Sequence, residues 1–490
     1  MSTPSTGDAV KAAADAPLML SVSGCRGIVG SSLTPERVAR FVASALCWAR
    51  SKRTEPGSDQ AMTVVLARDG RVGGAAIALS AAGALAAAGC RVVDLGVATT
   101  PTAGLMVRRL NADLGLVITA SHNPAPWNGL KVLSAAGGAP MLADANDIVA
   151  RFKSDAAPWP WVGSDRAGVL ERNDSGPRLH VETVLGALEK LTPLRKIREK
   201  CFRVVLDSVN ASGASAGRML LESLGCLVVH LHAETSGVFP HTPEPTRENL
   251  TGLCDAVRTH KAAVGFAQDP DADRLALIDE SGAYVGEEYT LALGVKSWLS
   301  MLSPERARGQ KVAANLSTSR MIDDVAASFG ASVVRTAVGE ANVVEGMHRA
   351  GCLMGGEGNG GLIWPEVVPI RDSLVSMAFT LALMARTGKT LSACAVDTPA
   401  YAIVKRKIDV REGLAARAVA AVTAHYRAKN ASLSDLDGVR ADFPIASGGS
   451  GWVHVRASNT EPIIRLIAEA PRADQAEGVL DEVGAIVAKC

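Results

Sequence analysis

The chain of 490 residues has little of what nucleic-acid-binding proteins need. Aromatic residues make up only 4% of it, and Lys and Arg form no long run. The charges nearly cancel, with 51 basic against 50 acidic side chains and a formal net charge of +1. Because the sequence offers neither stacking platforms nor a basic patch, we expect no nucleic-acid partner.

Signals for membranes and secretion are lacking as well. No apolar stretch is long enough to span a bilayer, and residues 1–17 have neither the basic start nor the apolar run of a signal peptide. The nine cysteines are scattered and include no Cys-x-x-Cys pair, which excludes metal and redox sites of that kind. We expect no membrane partner, mostly buried thiols and a cytoplasmic location.

The apolar residues, 48% of the chain, are sufficient for several cores, and they follow a repeated order. A β-branched run, a polar loop, an amphipathic helix ending in Gly and a second apolar strand occur three times, starting near Val64, Val204 and Val312. Strands that alternate with helices predict parallel, doubly wound sheets. The sequence therefore predicts an α/β fold with three similar doubly wound α/β domains.

The pattern changes from about Thr398 onward. A helix predicted over 412–429 precedes strand-like segments around Val439, Trp452 and Ile463 and a final helix over 473–489. This order predicts a smaller C-terminal α+β domain.

Domain boundaries are expected where the composition changes. The Pro-, Trp- and Gly-rich segment 153–176 indicates a linker after the first domain, and a second boundary is expected near Gly282. The predicted division is a flexible N-terminus at 1–20 and four domains at 21–175, 176–282, 283–397 and 398–490.

Each repeat ends in an unusual loop that follows a strand. These loops begin at Ser121, Asp269 and Gly355. Ligands of doubly wound sheets bind beyond the carboxyl ends of the strands. We therefore expect the functional residues in these three loops.

The second loop carries aspartates at alternate positions, Asp269, Asp271 and Asp273, a spacing that suits one hard cation. An EF-hand calcium loop is an alternative, because Glu280 stands at the twelfth position of that motif. Arg274 stands where an EF-hand needs Gly, and a strand-like segment precedes the loop, so an EF-hand is disfavoured. A solvated acidic turn is the remaining alternative.

The first loop, Ser-His-Asn-Pro at 121–124, places Ser121 directly after a strand. The loop is either a simple turn or the site of a nucleophile. A serine hydrolase would pair Ser121 with His122, but neighbouring side chains rarely face each other and no Gly-x-Ser-x-Gly motif surrounds them.

Two further segments suit a sugar phosphate. Residues 456–462, with Arg456 and nearby Arg465, offer guanidinium, hydroxyl and amide groups to a phosphate dianion, although an ordinary turn with surface arginines fits as well. The glycine-rich run 355–361 lets backbone approach a ligand, while Glu357 and Asn359 can bind sugar hydroxyls.

Together, the loops at Ser121, Asp269, Gly355 and Arg456, in this order and at these intervals, resemble those of the α-D-phosphohexomutase family. The resemblance extends from about Ser21 to the last helix. It implies four domains around one central cleft, carrying in order the phosphoserine loop, the metal loop, the sugar-binding loop and the phosphate-binding loop. It also implies that phosphate passes from a phosphoserine to a hexose phosphate, giving a 1,6-bisphosphate whose other phosphate returns to the serine.

The resemblance also implies cofactors and partners. These are one Mg²⁺ per subunit, glucose or another hexose 1,6-bisphosphate as activator, and small sugar phosphates as partners; a homo-oligomer stays open. A movable fourth domain would hold the phosphate that is not reacting.

Residue by residue, three roles carry over to this sequence, with His122 added as the neighbour of the serine. The candidate catalytic residues are Ser121, Arg26, Lys131 and His122. The candidate metal ligands are Ser121, Asp269, Asp271 and Asp273. The candidate substrate-binding residues are Arg274, Val338, Gly339, Glu340, Glu357, Asn359, Arg456, Ser458, Asn459, Thr460 and Arg465.

The sugar-binding loop departs from many bacterial members of the family, with Asn359 in place of Ser and Gly361 in place of His. Its form is closer to archaeal-type and phosphoglucosamine mutase-like members, and Glu340 could favour a 2-ammonium group. We therefore favour glucosamine phosphate, with glucose or mannose phosphate as the alternative. A binder that has lost turnover, or a net phosphatase or bisphosphate synthase on the same scaffold, are further alternatives.

Overall fold

The structure is a computed structural model that describes residues 17–53, 60–154, 160–409, 413–445, 448–458 and 463–490. Its strands are β1 Met19–Ser21, β2 Gly24–Ile28, β3 Thr63–Arg68, β4 Arg91–Val97, β5 Leu114–Ile118, β6 Trp127–Ser134, β7 Leu170–Arg172, β8 Arg203–Asp207, β9 Leu227–Leu231, β10 Val264–Gln268, β11 Leu275–Ile278, β12 Lys311–Asn315, β13 Ser332–Thr336, β14 Met354–Glu357, β15 Gly361–Trp364, β16 Val368–Arg371, β17 Ala402–Asp409, β18 Ser432–Ser434, β19 Val439–Pro444, β20 Ser450–Ala457 and β21 Ile463–Ala470. Its helices are α1 Pro35–Ser51, α2 Gly74–Ala87, α3 Thr100–Arg109, α4 Leu142–Lys153, α5 Gly176–Glu189, α6 Arg195–Arg198, α7 Gly213–Ser223, α8 Thr251–His260, α9 Glu287–Met301, α10 Pro304–Ala307, α11 Met321–Ser328, α12 Glu340–Ala350, α13 Ser373–Thr387, α14 Leu391–Val396, α15 Leu414–Ala428 and α16 Ala473–Val487.

The first three sheets share one arrangement of four strands. Their orders are β1-β2-β6-β5-β3-β4-β7, β11-β10-β8-β9 and β13-β12-β14-β15-β16. In each sheet a central strand pairs in parallel with two neighbours, as β3 does with β4 and β5. The strand that follows the second neighbour in the chain, β6 in the first sheet, then pairs with that neighbour in antiparallel orientation. This common order confirms the three predicted α/β repeats.

The fourth sheet is different. Its five strands, in the order β17-β21-β20-β19-β18, are all antiparallel, and α15 and α16 pack against them around a separate hydrophobic core. The predicted smaller α+β domain at the C-terminus is confirmed.

The first three domains bury one large core in common. This core combines side chains from the first sheet, from α5 and α7, and from α9 and α13, including Val65, Leu206, Trp298 and Phe379. The opposite face of each of these sheets packs on a smaller cluster of its own. The three sheets are therefore fixed against one another, with the carboxyl ends of their strands available to form one site.

The segment 153–176 is more than the predicted linker. In its described part, Leu170–Arg172 forms β7 and pairs in parallel with Val92–Asp94, so it extends the first sheet. The pattern missed it because these three residues are exposed and carry no alternation of apolar side chains. Positions 175, 282 and 397 fall between consecutive sheets, but the exact domain limits stay predictions.

No helix in the described part of the chain is long and apolar enough to cross a membrane.

Candidate active site

Ser121 lies on a tight turn just beyond β5. Its backbone has a φ of +51°, in the left-handed region, and its side chain is 1% exposed. Thr119 Oγ1 accepts a hydrogen bond from the Ser121 backbone N–H at 2.8 Å. This local bond stabilises a conformation that a non-glycine residue seldom adopts and turns the hydroxyl towards the second domain.

A buried ion pair beneath this turn is a feature that the sequence analysis missed. Arg71 Nε lies 3.0 Å from Asp69 Oδ2, and the same guanidinium donates to the backbone carbonyl of Ser121 at 2.5 Å. Asp69 also accepts from Thr119 Oγ1 at 2.7 Å. The position of these residues, directly after β3 at the ligand-binding edge, was the available signal.

The three aspartates of the second loop converge on the serine. Asp269, Asp271 and Asp273 are fully buried, and one carboxylate oxygen from each lies within 4.8 Å of the others. Ser121 Oγ donates to Asp269 Oδ2 at 2.9 Å. A hydroxyl from the first domain and an acidic cluster from the second thus form one site.

The metal loop is held by each of the first three domains. Thr100 donates to Asp271 Oδ2 at 2.6 Å from the start of α3. Ser212 donates to the carbonyl of Pro270 at 2.7 Å, and the backbone N–H of Ser373 donates to the carbonyl of Ala272. Because neighbouring domains fix the loop, the carboxylates are preorganised in spite of their mutual repulsion.

Two cations balance the acidic cluster. Lys131 Nζ lies 2.5 Å from Asp271 Oδ2 and 3.0 Å from Asp273 Oδ2, and Arg371 lies 2.6 Å from Asp273. Burial alone would raise the pKa of Asp273, but the charges of Arg371, Lys131 and Arg274 outweigh it and hold that pKa far below its usual range. Burial likewise opposes the charge of Lys131, yet Asp271 and Asp273 raise its pKa above the ordinary value. Both cations are therefore charged at neutral pH.

The donor set fits a divalent cation such as Mg²⁺. Asp271 Oδ1 and Asp273 Oδ1 are buried and accept no hydrogen bond from the described residues. Burial, together with the charges of Asp273 and Asp271, raises the pKa of Asp269 well above its usual value. Buried carboxylate oxygens without a partner are costly, and a hard cation satisfies them.

His122 and the arginines surround the serine from the other side. Arg26 Nη1 donates to Asn123 Oδ1 at 2.8 Å, and Arg274 Nε is 3.8 Å from Asp273 Oδ1. The charge of Arg274, and then burial, lower the pKa of His122 well below its usual value, so His122 is neutral. Its Nδ1 is 3.4 Å from Ser121 Oγ, at the limit of a hydrogen bond.

Gly24, two residues before Arg26, permits close packing beside this site. Gly24 has a φ of +101°, and a Cβ there would lie 1.9 Å from the carbonyl oxygen of Leu130. Any side chain would push β2 away from β6, which carries Lys131.

The sugar-binding loop is joined to the metal loop through Arg371, which the sequence analysis also missed. The guanidinium of Arg371 contacts Glu357 Oε2 at 2.7 Å, Glu340 Oε2 at 3.1 Å and Asp273 Oδ2 at 2.6 Å. Burial opposes the charge, but the three carboxylates raise the pKa of Arg371 well above its ordinary value. Asn359 Oδ1 lies 3.4 Å from the same guanidinium.

Both carboxylate oxygens of Glu357 bind other residues of the protein. Its Oε1 accepts from Asn315 Nδ2 at 2.7 Å and from the backbone N–H of Gly339 at 3.0 Å. The backbone N–H of the adjacent Val338 donates to Asp437 of the fourth domain at 3.1 Å.

The fourth domain contributes two opposed arginines. Arg456 on β20 and Arg465 on β21 are directly opposite each other in the antiparallel pairing of the two strands. Arg456 Nη2 is buried without a hydrogen-bond partner among the described residues. Arg456 Nε lies 2.7 Å from Asp437 Oδ2. Like charges directly opposite each other are unfavourable, and an anion bound between them relieves this. Ser458 is described at the end of β20, whereas Asn459 and Thr460 lie outside the described residues.

The geometry excludes two of the alternatives. Glu280 accepts from the backbone N–H of Ser392 at 3.2 Å and is not part of the acidic cluster, and a strand precedes Asp269, so the loop is not an EF-hand. The acidic residues are buried, so they are not a solvated turn either.

A buried serine hydroxyl that contacts a buried carboxylate cluster, with a pair of arginines in the fourth domain, is the arrangement expected of an enzyme of phosphoryl transfer. Models of the phosphoglucomutase/phosphomannomutase family match the chain domain by domain. The α/β/α domains I, II and III match residues 18–158, 182–282 and 287–401, and the C-terminal domain matches 404–486. The chain belongs to this family and is a phosphohexomutase.

Two curated relatives are similar over nearly their whole lengths. A probable phosphoglucosamine mutase of Methanopyrus kandleri is 34% identical over 469 residues, which cover 96% of this chain and 97% of the relative. A phosphoglucomutase/phosphomannomutase of Thermococcus kodakarensis is also 34% identical, with 94% and 96% covered. The two relatives are equally similar to this chain but have different names, so sequence identity does not indicate which sugar this enzyme prefers.

Solved structures share the fold. A phosphoglucomutase/phosphomannomutase family protein of Burkholderia thailandensis superimposes with a TM-score of 0.76 at 25% identity, covering 96% of this chain and 98% of that one. The N-acetylphosphoglucosamine mutase of Aspergillus fumigatus, solved with GlcNAc-6P and magnesium, has a TM-score of 0.54 at 14% identity, covering 99% of both chains.

Proposed function

We propose that this enzyme interconverts hexose 6-phosphate and hexose 1-phosphate through a phosphoserine at Ser121. The observation that carries the proposal is the 2.9 Å contact of Ser121 Oγ with Asp269 inside a buried cluster that has two unsatisfied carboxylate oxygens. A hydroxyl in that position can carry a phosphoryl group whose charge is balanced by cations on all sides.

We propose Mg²⁺ as the cofactor, held by Asp269, Asp271, Asp273 and an oxygen on Ser121. The buried, all-oxygen donor set supports this assignment. When bound, the cation neutralises negative charge on the phosphoryl oxygens as that charge shifts between donor and acceptor.

The chain's own residues complete the charge balance. Lys131 and Arg371 offset Asp271 and Asp273, and Arg26 presents its guanidinium next to the serine loop. Lys131, a charged ammonium group that contacts two of the carboxylates, is proposed to assist proton transfer near the serine. His122 is neutral, so we propose that it shapes the pocket instead of adding charge.

The substrate must be held in two orientations, because the phosphate on O1 and the phosphate on O6 take turns at the serine. Arg456 and Arg465, with Ser458, Asn459 and Thr460, are the proposed clamp for the phosphate that is not reacting. Arg274, Val338, Gly339, Glu357 and Asn359 are the proposed contacts to the rest of the sugar. The 1,6-bisphosphate is therefore both intermediate and activator, since free bisphosphate can phosphorylate the serine anew.

We propose glucosamine phosphate as the preferred sugar. Glu340 supports this choice, because Arg371 binds its Oε2 and leaves Oε1 as the atom that a 2-ammonium group would meet. Glucose or mannose phosphate is the alternative. A cytoplasmic location is part of the proposal and is supported by the cysteines, which are free throughout the described residues.

The test is phosphorus NMR of the enzyme with Mg²⁺ and a trace of glucose 1,6-bisphosphate, in separate samples of glucosamine, glucose and mannose 6-phosphate. We expect a growing sugar 1-phosphate signal, fastest with glucosamine 6-phosphate and absent in Ser121→Ala. Release of inorganic phosphate would indicate a phosphatase instead, and accumulation of bisphosphate a synthase. A sugar preference in Glu340→Gln that is unchanged from that of the parent enzyme would contradict the role of Glu340.

A further inference from the structure

A second cluster of possible metal ligands lies away from the acidic site, in the second domain. Asp207 ends β8, His232 follows β9 directly, and His241 lies in the loop that comes next. One donor atom from each residue lies within 4.8 Å of the others. The cluster stands at the carboxyl ends of neighbouring parallel strands, which is the ligand-binding edge of such a sheet.

The three side chains of this cluster lie close enough together to share one ion. Asp207 is 2% exposed, and its two oxygens face the two rings separately: Oδ1 is 3.0 Å from His232 Nδ1 and Oδ2 is 3.1 Å from His241 Nε2. Ligand atoms around a tetrahedral Zn²⁺ with bonds of about 2.0–2.1 Å lie roughly 3.3 Å apart. The two distances are already close to that separation.

The outer contacts fix the ligands in place. His241 Nδ1 lies 2.8 Å from the carbonyl oxygen of Thr242, so it donates there, and its Nε2 is the ring atom that faces Asp207. A backbone carbonyl on the far nitrogen of a histidine is a common partner in metal sites because it orients the ring. Asp207 Oδ1 also accepts from the backbone N–H of Val209 at 2.9 Å.

The backbone conformation around this cluster also indicates a ligand site. His232, Val209 and Asn210 have φ of +49°, +47° and +53°, which is unusual for residues with side chains and most unusual for the β-branched Val209. Left-handed backbone next to a ligand set indicates that the loops are held to present these side chains. His232 and His241 keep 33% and 20% of their side chains exposed, so an ion and its water ligands can reach the cluster.

We propose that Asp207, His232 and His241 bind a divalent transition-metal ion of the Zn²⁺ or Co²⁺ class, separate from the Mg²⁺ assigned to the acidic cluster. Two imidazoles and a carboxylate suit these metals, whereas Mg²⁺ prefers oxygen alone. The ion has a structural role: it fastens residues 232–241 to the ends of β8 and β9.

That loop packs on the first domain. The guanidinium of Arg71 lies 5.1 Å from the centre of the Phe239 ring, and a Cβ on Gly237 would lie 2.1 Å from the carbonyl oxygen of Gly70. Arg71 in turn binds the carbonyl of Ser121. A metal at this cluster therefore stabilises the contact between the second domain and the support of the serine loop.

The test measures Co²⁺ binding to the full-length enzyme in excess Mg²⁺, by visible absorption and by equilibrium dialysis with elemental analysis. We expect one Co²⁺ with a d–d spectrum, displaced by Zn²⁺, and a higher melting temperature with either metal. His241→Gln and His232→Gln should each weaken binding more than tenfold, whereas the exposed His260→Gln in the same domain should not change it. Asp269→Asn, which alters the acidic cluster, should leave the spectrum intact.

Asp207→Asn serves as a further variant, because it keeps the shape of the side chain while removing its charge, and circular dichroism verifies that each variant is folded. The proposal is wrong if the enzyme gives no d–d spectrum, or if folded His241→Gln and Asp207→Asn bind Co²⁺ as the unchanged enzyme does. In that case the three residues form only a hydrogen-bonded contact.

Discussion

Arg371 pairs with three carboxylates: Asp273 in the metal loop, Glu340 at the start of α12 and Glu357 at the end of β14. Each of these carboxylates is largely or fully buried. Water therefore cannot easily replace the guanidinium as its partner. Breaking a buried ion pair by removing one partner costs about 3–5 kcal/mol, because the other charge stays behind unpaired.

We predict that Arg371→Met lowers the free energy of unfolding by about 3–5 kcal/mol, measured by urea denaturation in the presence of Mg²⁺. Arg349→Met is the matched control, because Arg349 pairs with Glu345 on the surface of α12, and such pairs contribute about 0–1 kcal/mol. Equal losses in the two variants would contradict the role given to Arg371.

Arg456 is predicted to act on substrate binding. Lysine cannot bind two oxygens in the fork geometry of arginine, so Arg456→Lys should raise the KM for the sugar phosphate by about tenfold or more, equivalent to at least 1.4 kcal/mol, with a smaller change in kcat. Steady-state kinetics at saturating Mg²⁺ provide the measurement. Arg406→Lys should leave KM unchanged, because Arg406 lies on the helix-covered face of β17 and pairs with Asp481 of α16. A loss in kcat alone for Arg456→Lys would assign Arg456 to chemistry instead.

The site residues that the sequence predicted and those that it did not differ in how far their contacts extend along the chain. Ser121 and the aspartates belong to short motifs that follow strands, so local pattern was enough to find them. Arg371 meets Asp273 across 98 residues, and Asp437 meets Val338 across 99, so no local pattern records either contact. Arg71 stands in a predicted loop, but its bond to Ser121 depends on the order of strands in the sheet.

At the scale of elements, the repeated order of strand, loop and helix predicted the parallel strands of the first three sheets, because buried parallel strands are apolar along their whole length. It did not predict the antiparallel strands that make each of these sheets mixed. The helix predicted over 473–489 appears as α16, Ala473–Val487. Short exposed strands such as β7 have no such apolar pattern. They can be recognised only from the strand with which they pair.

The strand β20 carries a pH-sensitive contact between the third and fourth domains. His454 is fully buried, with Nδ1 2.9 Å from Ser317 Oγ and Nε2 2.6 Å from the carbonyl oxygen of Asp437. Burial lowers the pKa of His454 to about 4 from an ordinary 6.5. His454 therefore takes up a proton near pH 6.5 in the unfolded chain but only near pH 4 in the folded protein. The free energy of unfolding is not reduced by this histidine above pH 6.5, and it falls as the pH drops from 6.5 towards 4.

We predict that His454→Gln makes the free energy of unfolding less dependent on pH. Between pH 6.5 and 4 the unchanged protein should lose about 3 kcal/mol more than the variant, because the glutamine does not titrate. Urea denaturation at a series of pH values gives the comparison. Parallel pH profiles for the two proteins would show that His454 does not contribute.

At the scale of the whole molecule, the shared core of the first three domains explains how distant loops form one site. The serine loop, the metal loop and the sugar-binding loop follow strands of three sheets that are packed rigidly together, with Thr100, Ser212 and Ser373 binding the metal loop from each domain. The fourth domain has its own core, so we expect it to be the part that moves. We predict that it closes when Arg456 binds phosphate, which would shield a phosphoserine from water.

If Ser121 carries the phosphate during turnover, mass spectrometry of phosphopeptides can detect it there. Dephosphorylated enzyme with Mg²⁺ and glucose 1,6-bisphosphate should acquire one phosphate, which mass spectrometry of peptides locates on Ser121. Addition of a hexose monophosphate should then remove it, at a rate no slower than turnover and with formation of bisphosphate. Turnover without phosphate on Ser121, or loss of that phosphate only to water, would contradict the account.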